Sequence, residues 1–452
     1  MAIVSSQEAI VIGAGLAGLS AAIYLQEAGI RPTVLERNDF LGGRTSSWDE
    51  DGMLVESGYH RYLGFYSEMP KLFKKAGLAL DDVVKWEDQV EIRVPNGPHG
   101  EFGASLIHKP VKTIRQAITE NEVLTLEDKA SLTAFVAKGL KDYVAQPEYL
   151  DSQTVQQYAE KSGVTKQAID RLLVSATEGL FFLTPRVYSA FAFFSLIAPY
   201  WKKLPLFRIG AFAGGMSQVM ADPLAEFVRS GLGEVHTGKS VSKIIKTGDG
   251  YKVETETGEI YEAPIVVLAA SLFPAQEIIR QSFDDDWFRP MLELKTVSSV
   301  SFQIELSEPS LPIDRTTFGP MTAMGSFAEQ SRTTFNELPG RLSIILTPPD
   351  RFIYMDADDI MQSVYAEAKT LGMELEGKVV RYRKIVIPHD FYLMAPGAEK
   401  LRPAAKTPLP GLFLAGDYTH QKYLTTMEGA VYSGRLAAEL AQDFVKAKME
   451  LF

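Results

Sequence analysis

Glu8-Ala-Ile-Val-Ile-Gly-Ala-Gly-Leu-Ala-Gly18 stands near the start of the 452-residue chain and decides how the rest is read. The residues to Ile12 form a short apolar run, the pattern of a buried strand. Gly13-Ala14-Gly15-Leu16-Ala17-Gly18 follows directly, and Leu19 to Gly29 then carries apolar residues at helical spacing (Leu19, Ala22, Ile23, Leu25). Arg31-Pro-Thr-Val-Leu-Glu36 is a second strand ending in an acid. Strand, G-x-G-x-x-G turn, helix, strand and acid is the order of a dinucleotide-binding unit. Gly13 serves the tight turn, Gly15 admits a pyrophosphate to the backbone, and Gly18 lets helix and strand approach. The helix N-terminus offers unpaired N–H groups and a positive dipole end to phosphate charge. Glu36, with Arg37 after it, is suited to accept both hydroxyls of an adenosine ribose and would repel a 2′-phosphate.

Six residues past Glu36 comes a glycine doublet, in Leu41-Gly42-Gly43-Arg44. In isolation it reads as a plain turn, but its position lets it pass the pyrophosphate of a longer cofactor. Far along the chain, Gly411-Leu-Phe-Leu-Ala-Gly416-Asp417 is another buried strand ending in small residues and an acid. Met427-Glu428-Gly-Ala430-Val-Tyr-Ser-Gly-Arg435 opens a last helix expected to run to about Lys446. Asp417 is placed for a ribitol hydroxyl or the pyrophosphate. The helix N-terminus at Met427 to Ala430 can direct N–H groups at the N1–O2 edge of a flavin, where negative charge gathers on reduction. These separated segments converge on one long cofactor.

The residues carry a resemblance to the flavin superfamily of amine oxidases, protoporphyrinogen oxidase and carotenoid desaturases. Leu414 to Gly434 closely resembles the terminal motif of plant- and cyanobacterial-type phytoene and ζ-carotene desaturases, and Glu56-Ser-Gly58-Tyr59-His60-Arg61-Tyr-Leu-Gly64 resembles their glycine–histidine segment beside the flavin. Arg402-Pro403 matches too, and Gly214-Gly215-Met216 resembles the family's return to the nucleotide domain. The resemblance implies non-covalent FAD, with Gly58, Tyr59 and His60 beside it and Val241 against the adenine. The expected fold is α/β, a Rossmann-type FAD-binding domain (a two-dinucleotide-binding-domain flavoprotein) interleaved with an α+β substrate domain. The FAD-binding domain takes residues 1–90, 206–290 and 396–452, and the substrate domain 91–205 and 291–395.

Between the motifs, Val235 to Ile245, Tyr251 to Val253 and Glu259 to Leu268 read as an antiparallel group. Leu126 to Val144, Thr154 to Tyr158 and Ile169 to Ala176 are helical in pattern, while Val297 to Ile304 and Leu342 to Leu346 alternate as strands. No repeat or low-complexity linker appears. Val187 to Trp201 is the most apolar stretch, followed by Lys202, Lys203 and Arg208. It reads either as a core helix or cavity wall, with Phe191, Phe194 and Ala198 on one face, or as a peripheral membrane contact admitting a lipid-soluble substrate.

Composition narrows the chemistry. The chain has no cysteine, which excludes disulfides, thiolate catalysis and a cysteine-tethered flavin. Its six histidines show no metal-ligand spacing, so no metal is expected. A net charge of −11 argues against nucleic acid. Met1 to Gln7 is too short and polar for a signal peptide, and no window is apolar enough to span a bilayer. A cytoplasmic protein is expected, peripheral on a membrane in the second reading of the apolar stretch; self-association is compatible with the sequence.

For function, the leading expectation is an FAD-dependent desaturase in which an isoprenoid or carotenoid C–H gives hydride to flavin N5, with quinone or oxygen as electron acceptor. The rival is an amine or L-amino-acid oxidase, because Gly58-Tyr-His-Arg61 has the spacing with which amino-acid oxidases of the superfamily hold a carboxylate. The lysine that many amine oxidases keep near N5 is missing from Thr296 to Leu306, where Ser301 or Gln303 takes its place. A redox-neutral carotenoid-isomerase-like flavoprotein and a flavin-containing binding protein are further alternatives. Arg61, His60 and Gln303 are the candidate catalytic residues.

Overall fold

The computed structural model describes residues 7–103, 110–119, 121–206 and 208–450. Met1–Ser6 of the polar start, His108, and Phe207 within the 187–208 stretch lie outside the described residues. Strand β1 (Glu8–Ile12), helix α1 (Leu16–Glu27) and strand β2 (Arg31–Leu35) form in the expected order. β1 is the middle of a five-stranded parallel sheet, flanked by β2 and Glu234–His236 on one side and by Ile265–Leu268 and Leu412–Leu414 on the other. Ala9 to Ile12 are buried, as a strand covered on both faces must be.

Two runs that read as single strands are each divided between sheets. Glu234–His236 joins the parallel sheet, whereas Val241–Lys246 pairs with Tyr251–Thr255 in a three-stranded antiparallel sheet. Likewise Ile260–Ala263 closes the antiparallel sheet and Ile265–Leu268 enters the parallel one. The first break falls at Gly238, whose φ of +66° turns the chain. The second falls at Pro264, which has no N–H for a ladder.

The second large sheet has seven strands, in the order Val379–Tyr392, Thr296–Leu306, Gly340–Leu346, Met324–Glu329, Thr316–Phe318, Gln89–Arg93 and His99–Gly103. Helices between residues 126 and 195 pack beside it. The longest, Leu126–Ala145, begins with a capping box in which Thr125 and Asp128 each satisfy the other's backbone N–H. The apolar stretch breaks into a short helix, Ala190–Ser195, and a 3-10 segment, Ala198–Leu206. Phe194 is buried against Gly139, and Tyr188, Ala190 and Tyr200 are buried as well. Phe191 instead stacks on Tyr143 at 4.8 Å, and Trp201 is 61% exposed. Most of the stretch is therefore interior wall. Among the described residues no helix is long and apolar enough to cross a membrane.

The last helix, Met427–Met449, runs about a turn beyond the sequence expectation and packs along α1. A Cβ on Gly434 would fall 2.1 Å from the Ala17 carbonyl oxygen, so the two helices meet backbone to backbone.

Candidate functional site

At the end of β1 the two glycine segments meet. Gly15 forms a parallel bridge with Gly42, and the Gly42 N–H donates to the Ala14 carbonyl at 3.1 Å. Gly42 takes φ +110°, which a side chain would strain, and a Cβ there would fall 2.4 Å from the Thr45 carbonyl oxygen, so the position requires glycine. Gly18 has the Gly13 carbonyl oxygen 1.8 Å from where its Cβ would stand, which requires glycine for helix and turn to close. Leu16 and Ala17 begin α1 with buried side chains. The Glu36 carboxylate accepts the Ala14 N–H at 2.8 Å and the Asn38 N–H at 3.0 Å. Each oxygen keeps acceptor capacity for a ribose hydroxyl. Arg37 is exposed. Val241 is half-buried at the start of its strand; just before it, the Lys239 N–H donates to the Glu36 carbonyl at 2.7 Å.

The doublet delivers Arg44 to the C-terminal motif. Its guanidinium bonds Asp417 at 2.5 Å and lies 3.9 Å from Asp390, on the strand Val379–Tyr392. Burial alone would lower the Arg44 pKa, but Asp417 and Asp390 outweigh it and keep the guanidinium protonated. His60 joins the same group: its Nδ1 donates to the Gly58 carbonyl at 2.8 Å, and it interacts electrostatically with Asp390 and Arg44. Burial pushes His60 below the ordinary histidine value, opposed by the Gly58 carbonyl and by Asp390. Burial pushes Asp390 upward, opposed by Arg44, a hydrogen bond from Ser299, and His60. Sequence reading missed Asp390 and Ser299, since neither belongs to a motif and only the sheet pairing brings them here.

The turn holding Asp417 is braced from below. Arg402, almost fully buried, donates to the carbonyls of Tyr418, Asp417 and Thr419 and pairs with Glu399. The Gly416 N–H donates to Ser433 Oγ at 2.8 Å, tying the turn to the last helix. At that helix's start, Gly429 donates to Thr426 Oγ1 and Ala430 to the Thr426 carbonyl. The amides of Met427 and Glu428 are thus left facing out of the helix end. The Tyr418 hydroxyl, buried beside Asp417, has no hydrogen-bond partner among the described residues.

Three candidates are committed elsewhere. The Glu428 carboxylate accepts the N–H groups of Ser67, Glu68 and Met69, capping the helix Glu68–Lys75, so its backbone alone can serve a cofactor. Gln303 grips Glu56, donating to its carbonyl at 2.6 Å and accepting its N–H at 3.0 Å, and also accepts from Arg341. That leaves the carboxamide no free donor pair for chemistry. Arg61 forms an ion pair with the fully buried Asp314, donates to Thr316 Oγ1 at 3.0 Å and stacks over Tyr59 at 5.1 Å. Asp314 lies in a loop with no sequence signal, so nothing in the sequence betrayed this partner. Tyr59 itself packs against Ala328 and Ile345.

Glu56, which opens the glycine–histidine segment, is a buried junction. Its carboxyl accepts from Gln330 at 2.9 Å and from the Met216 N–H at 3.3 Å. Beside Arg402, a cavity of about 290 Å³ opens between Tyr143, Phe191 and Ser195 of the helical layer and the Gln421–Tyr423 loop. No cluster of histidine and acidic residues able to hold a metal occurs among the described residues.

Glycine loops without Cβ atoms, a ribose-type acid, a buried guanidinium and an open helix end together fit a flavin dinucleotide. Comparison with known proteins bears on the same point. Residues 16–441 match the family described as flavin-containing amine oxidoreductase. The 15-cis-phytoene desaturase of Glycine max is 28% identical over 458 residues, covering 96% of this chain and 79% of that one. The 15-cis-phytoene desaturase of Synechococcus elongatus is 26% identical over 451 residues, with 95% and 94% covered. Among solved structures, putrescine oxidase bound to putrescine has a TM-score of 0.72 at 18% identity, covering 97% of this chain and 99% of that one. At that identity the likeness is one of fold.

Proposed function

The chain belongs to the flavin-containing amine oxidoreductase family, and from that premise we propose that it is an FAD-dependent desaturase of an isoprenoid or carotenoid chain. The observation that carries this reading is similarity to 15-cis-phytoene desaturases along 95–96% of the chain. Bound FAD supplies a hydride acceptor, and quinone or oxygen reoxidises it. Glu36 holds the adenosine ribose, the loops at Gly13–Gly18 and Gly42–Gly43 admit the pyrophosphate, and Val241 borders the adenine. Arg44 and Asp417 hold the middle of the cofactor, and the Met427 and Glu428 amides face its flavin end. A carotenoid needs an apolar approach, and the apolar stretch 188–200, with Phe191 lining the cavity of about 290 Å³, is the candidate for its wall.

The amino-acid oxidase alternative needs a free Arg61. Its pairing with Asp314 removes the motive for that reading, because a substrate carboxylate would have to displace a fully buried partner.

Anaerobic mixing tests the proposal. Detergent-dispersed 15-cis-phytoene is expected to bleach the oxidised flavin and yield a product with a longer conjugated system. Bleaching by an amine or L-amino acid, with none by the polyene, reverses the assignment. Conversion only after prior reduction of the flavin marks an isomerase. Peripheral membrane contact is a further part of the proposal, with exposed Trp201 next to Lys202 and Lys203 as its anchor. Co-sedimentation with anionic vesicles is expected to fall in Trp201→Ser; sedimentation equal to the wild type removes this anchor.

A further inference from the structure

We propose that His60, assisted by Asp390, is the base that takes the proton released when a substrate carbon–carbon bond is desaturated. The inference rests on the desaturase reading. Forming a C=C bond breaks C–H bonds on two adjacent carbons. One hydrogen leaves as hydride, with the oxidised flavin as oxidant. The other leaves as a proton, and its bonding pair becomes the new π bond. That proton needs an acceptor, and the structure offers one at the junction of the nucleotide-binding sheet and the seven-stranded sheet.

The tautomer of His60 follows from its one hydrogen bond. Nδ1 lies 2.8 Å from the Gly58 carbonyl oxygen, which can only accept, so the neutral ring carries its proton on Nδ1. Nε2 then holds the lone pair, and among the described residues it makes no hydrogen bond. The charged groups facing the ring are Asp390, from the strand Val379–Tyr392, and Arg44, from the glycine doublet. Arg44 is drawn to Asp417, at 2.5 Å, and stands off from Asp390, at 3.9 Å. Asp390 also takes a hydrogen bond from Ser299 and faces Asp417. Asp390 therefore faces both Arg44 and His60, and its pull on the ring favours an imidazolium there. His60 is neutral at neutral pH because burial lowers it, which keeps it competent as a base. Asp390 acts through His60 and is a positioning residue. The imidazolium returns its proton to water after the product leaves.

Two measurements test this on the flavin-loaded protein. The first uses ¹⁵N-histidine labelling without substrate, with His60→Asn assigning the resonance. His60 is expected as the Nδ1–H tautomer, protonating below the ordinary value of 6.5, and Asp390→Asn is expected to move that protonation further down. A ring protonated on Nε2, or a titration unmoved in Asp390→Asn, overturns the proposal. The second follows flavin bleaching by 15-cis-phytoene across pH. His60→Asn is expected to slow it about 100-fold or more with flavin content retained. Asp390→Asn is expected to shift the acid limb to lower pH. Bleaching by His60→Asn at the wild-type rate overturns the proposal and leaves the desaturase reading standing. If the wild type itself is not bleached, that reading falls and the labelling measurement decides the His60–Asp390 couple. Should His60→Asn lose its flavin, the titration and pH profile of Asp390→Asn decide.

Discussion

Glu56 shows how one side chain can tie stability to pH. Burial pushes its carboxyl from 4.5 to about 7, against the opposing pull of Gln330, Arg341, the Met216 amide and Arg61. A carboxyl raised in the folded state binds more protons there than when unfolded, so stability falls as pH rises between those values. The contribution is complete below 4.5 and gone above about 7, an effect on the order of 3 kcal/mol by linkage. Glu56→Gln is expected to remove that slope. Urea titrations at pH 5, 6, 7 and 8 should show the variant's stability relative to wild type rising from pH 5 to 7 and levelling off by pH 8, and a constant difference refutes the assignment. Arg61 poses a different question at the same scale. Arg61→Leu would strand the buried Asp314 carboxylate and cost about 3–5 kcal/mol. A carboxylate clamp, by contrast, predicts near-normal stability with impaired substrate binding, so one denaturation curve separates the two. At Glu36, Glu36→Arg removes the ribose acceptor and crowds the loop, and flavin occupancy after purification is expected to drop. Full occupancy would refute the placement of Glu36 at the ribose.

Elements were legible where a local pattern carried their whole cause. β1, α1 and β2 follow from apolar runs punctuated by glycine, and the last helix follows from the run that opens at Met427. Strand membership was less legible, because Gly238 and Pro264 each cut one apolar run into pieces of two sheets, and periodicity does not say which sheet a strand joins. Side-chain partners from distant segments were not legible at all, as Arg61 with Asp314 and His60 with Asp390 show. Glu428 is the instructive case, since its motif pointed to the cofactor while its carboxylate caps another helix. Glu428→Ala would leave the buried amides of Glu68 and Met69, and the half-buried amide of Ser67, without their acceptor. A loss on the order of 2–4 kcal/mol is expected, with flavin content per folded molecule unchanged. Loss of flavin at normal stability would instead make the carboxylate a cofactor ligand.

For the whole molecule, the nucleotide-binding unit cannot be cut from the chain that follows it. β1 pairs with Ile265–Leu268 residue for residue from Ala9 to Ile12. α1 meets the last helix at the Ala17–Gly434 contact, and β2 is paired on its outer side by Glu234–His236. A fragment ending at residue 90 would therefore expose both sides of a buried two-stranded core and one face of an apolar helix. Such a piece lacks the burial needed to offset chain entropy. It is expected to show an unfolded circular dichroism spectrum and to take up no FAD, even though it contains every glycine of the fingerprint. The full chain should instead unfold with the parallel sheet and its cofactor as a unit. FAD at a hundred times its dissociation constant is expected to add about 2.7 kcal/mol and to raise the sheet's melting transition without dividing it. A folded, FAD-binding 1–90 fragment would show that the fingerprint is autonomous. In that case the convergence of Arg44 on Asp417 would no longer be what makes the site.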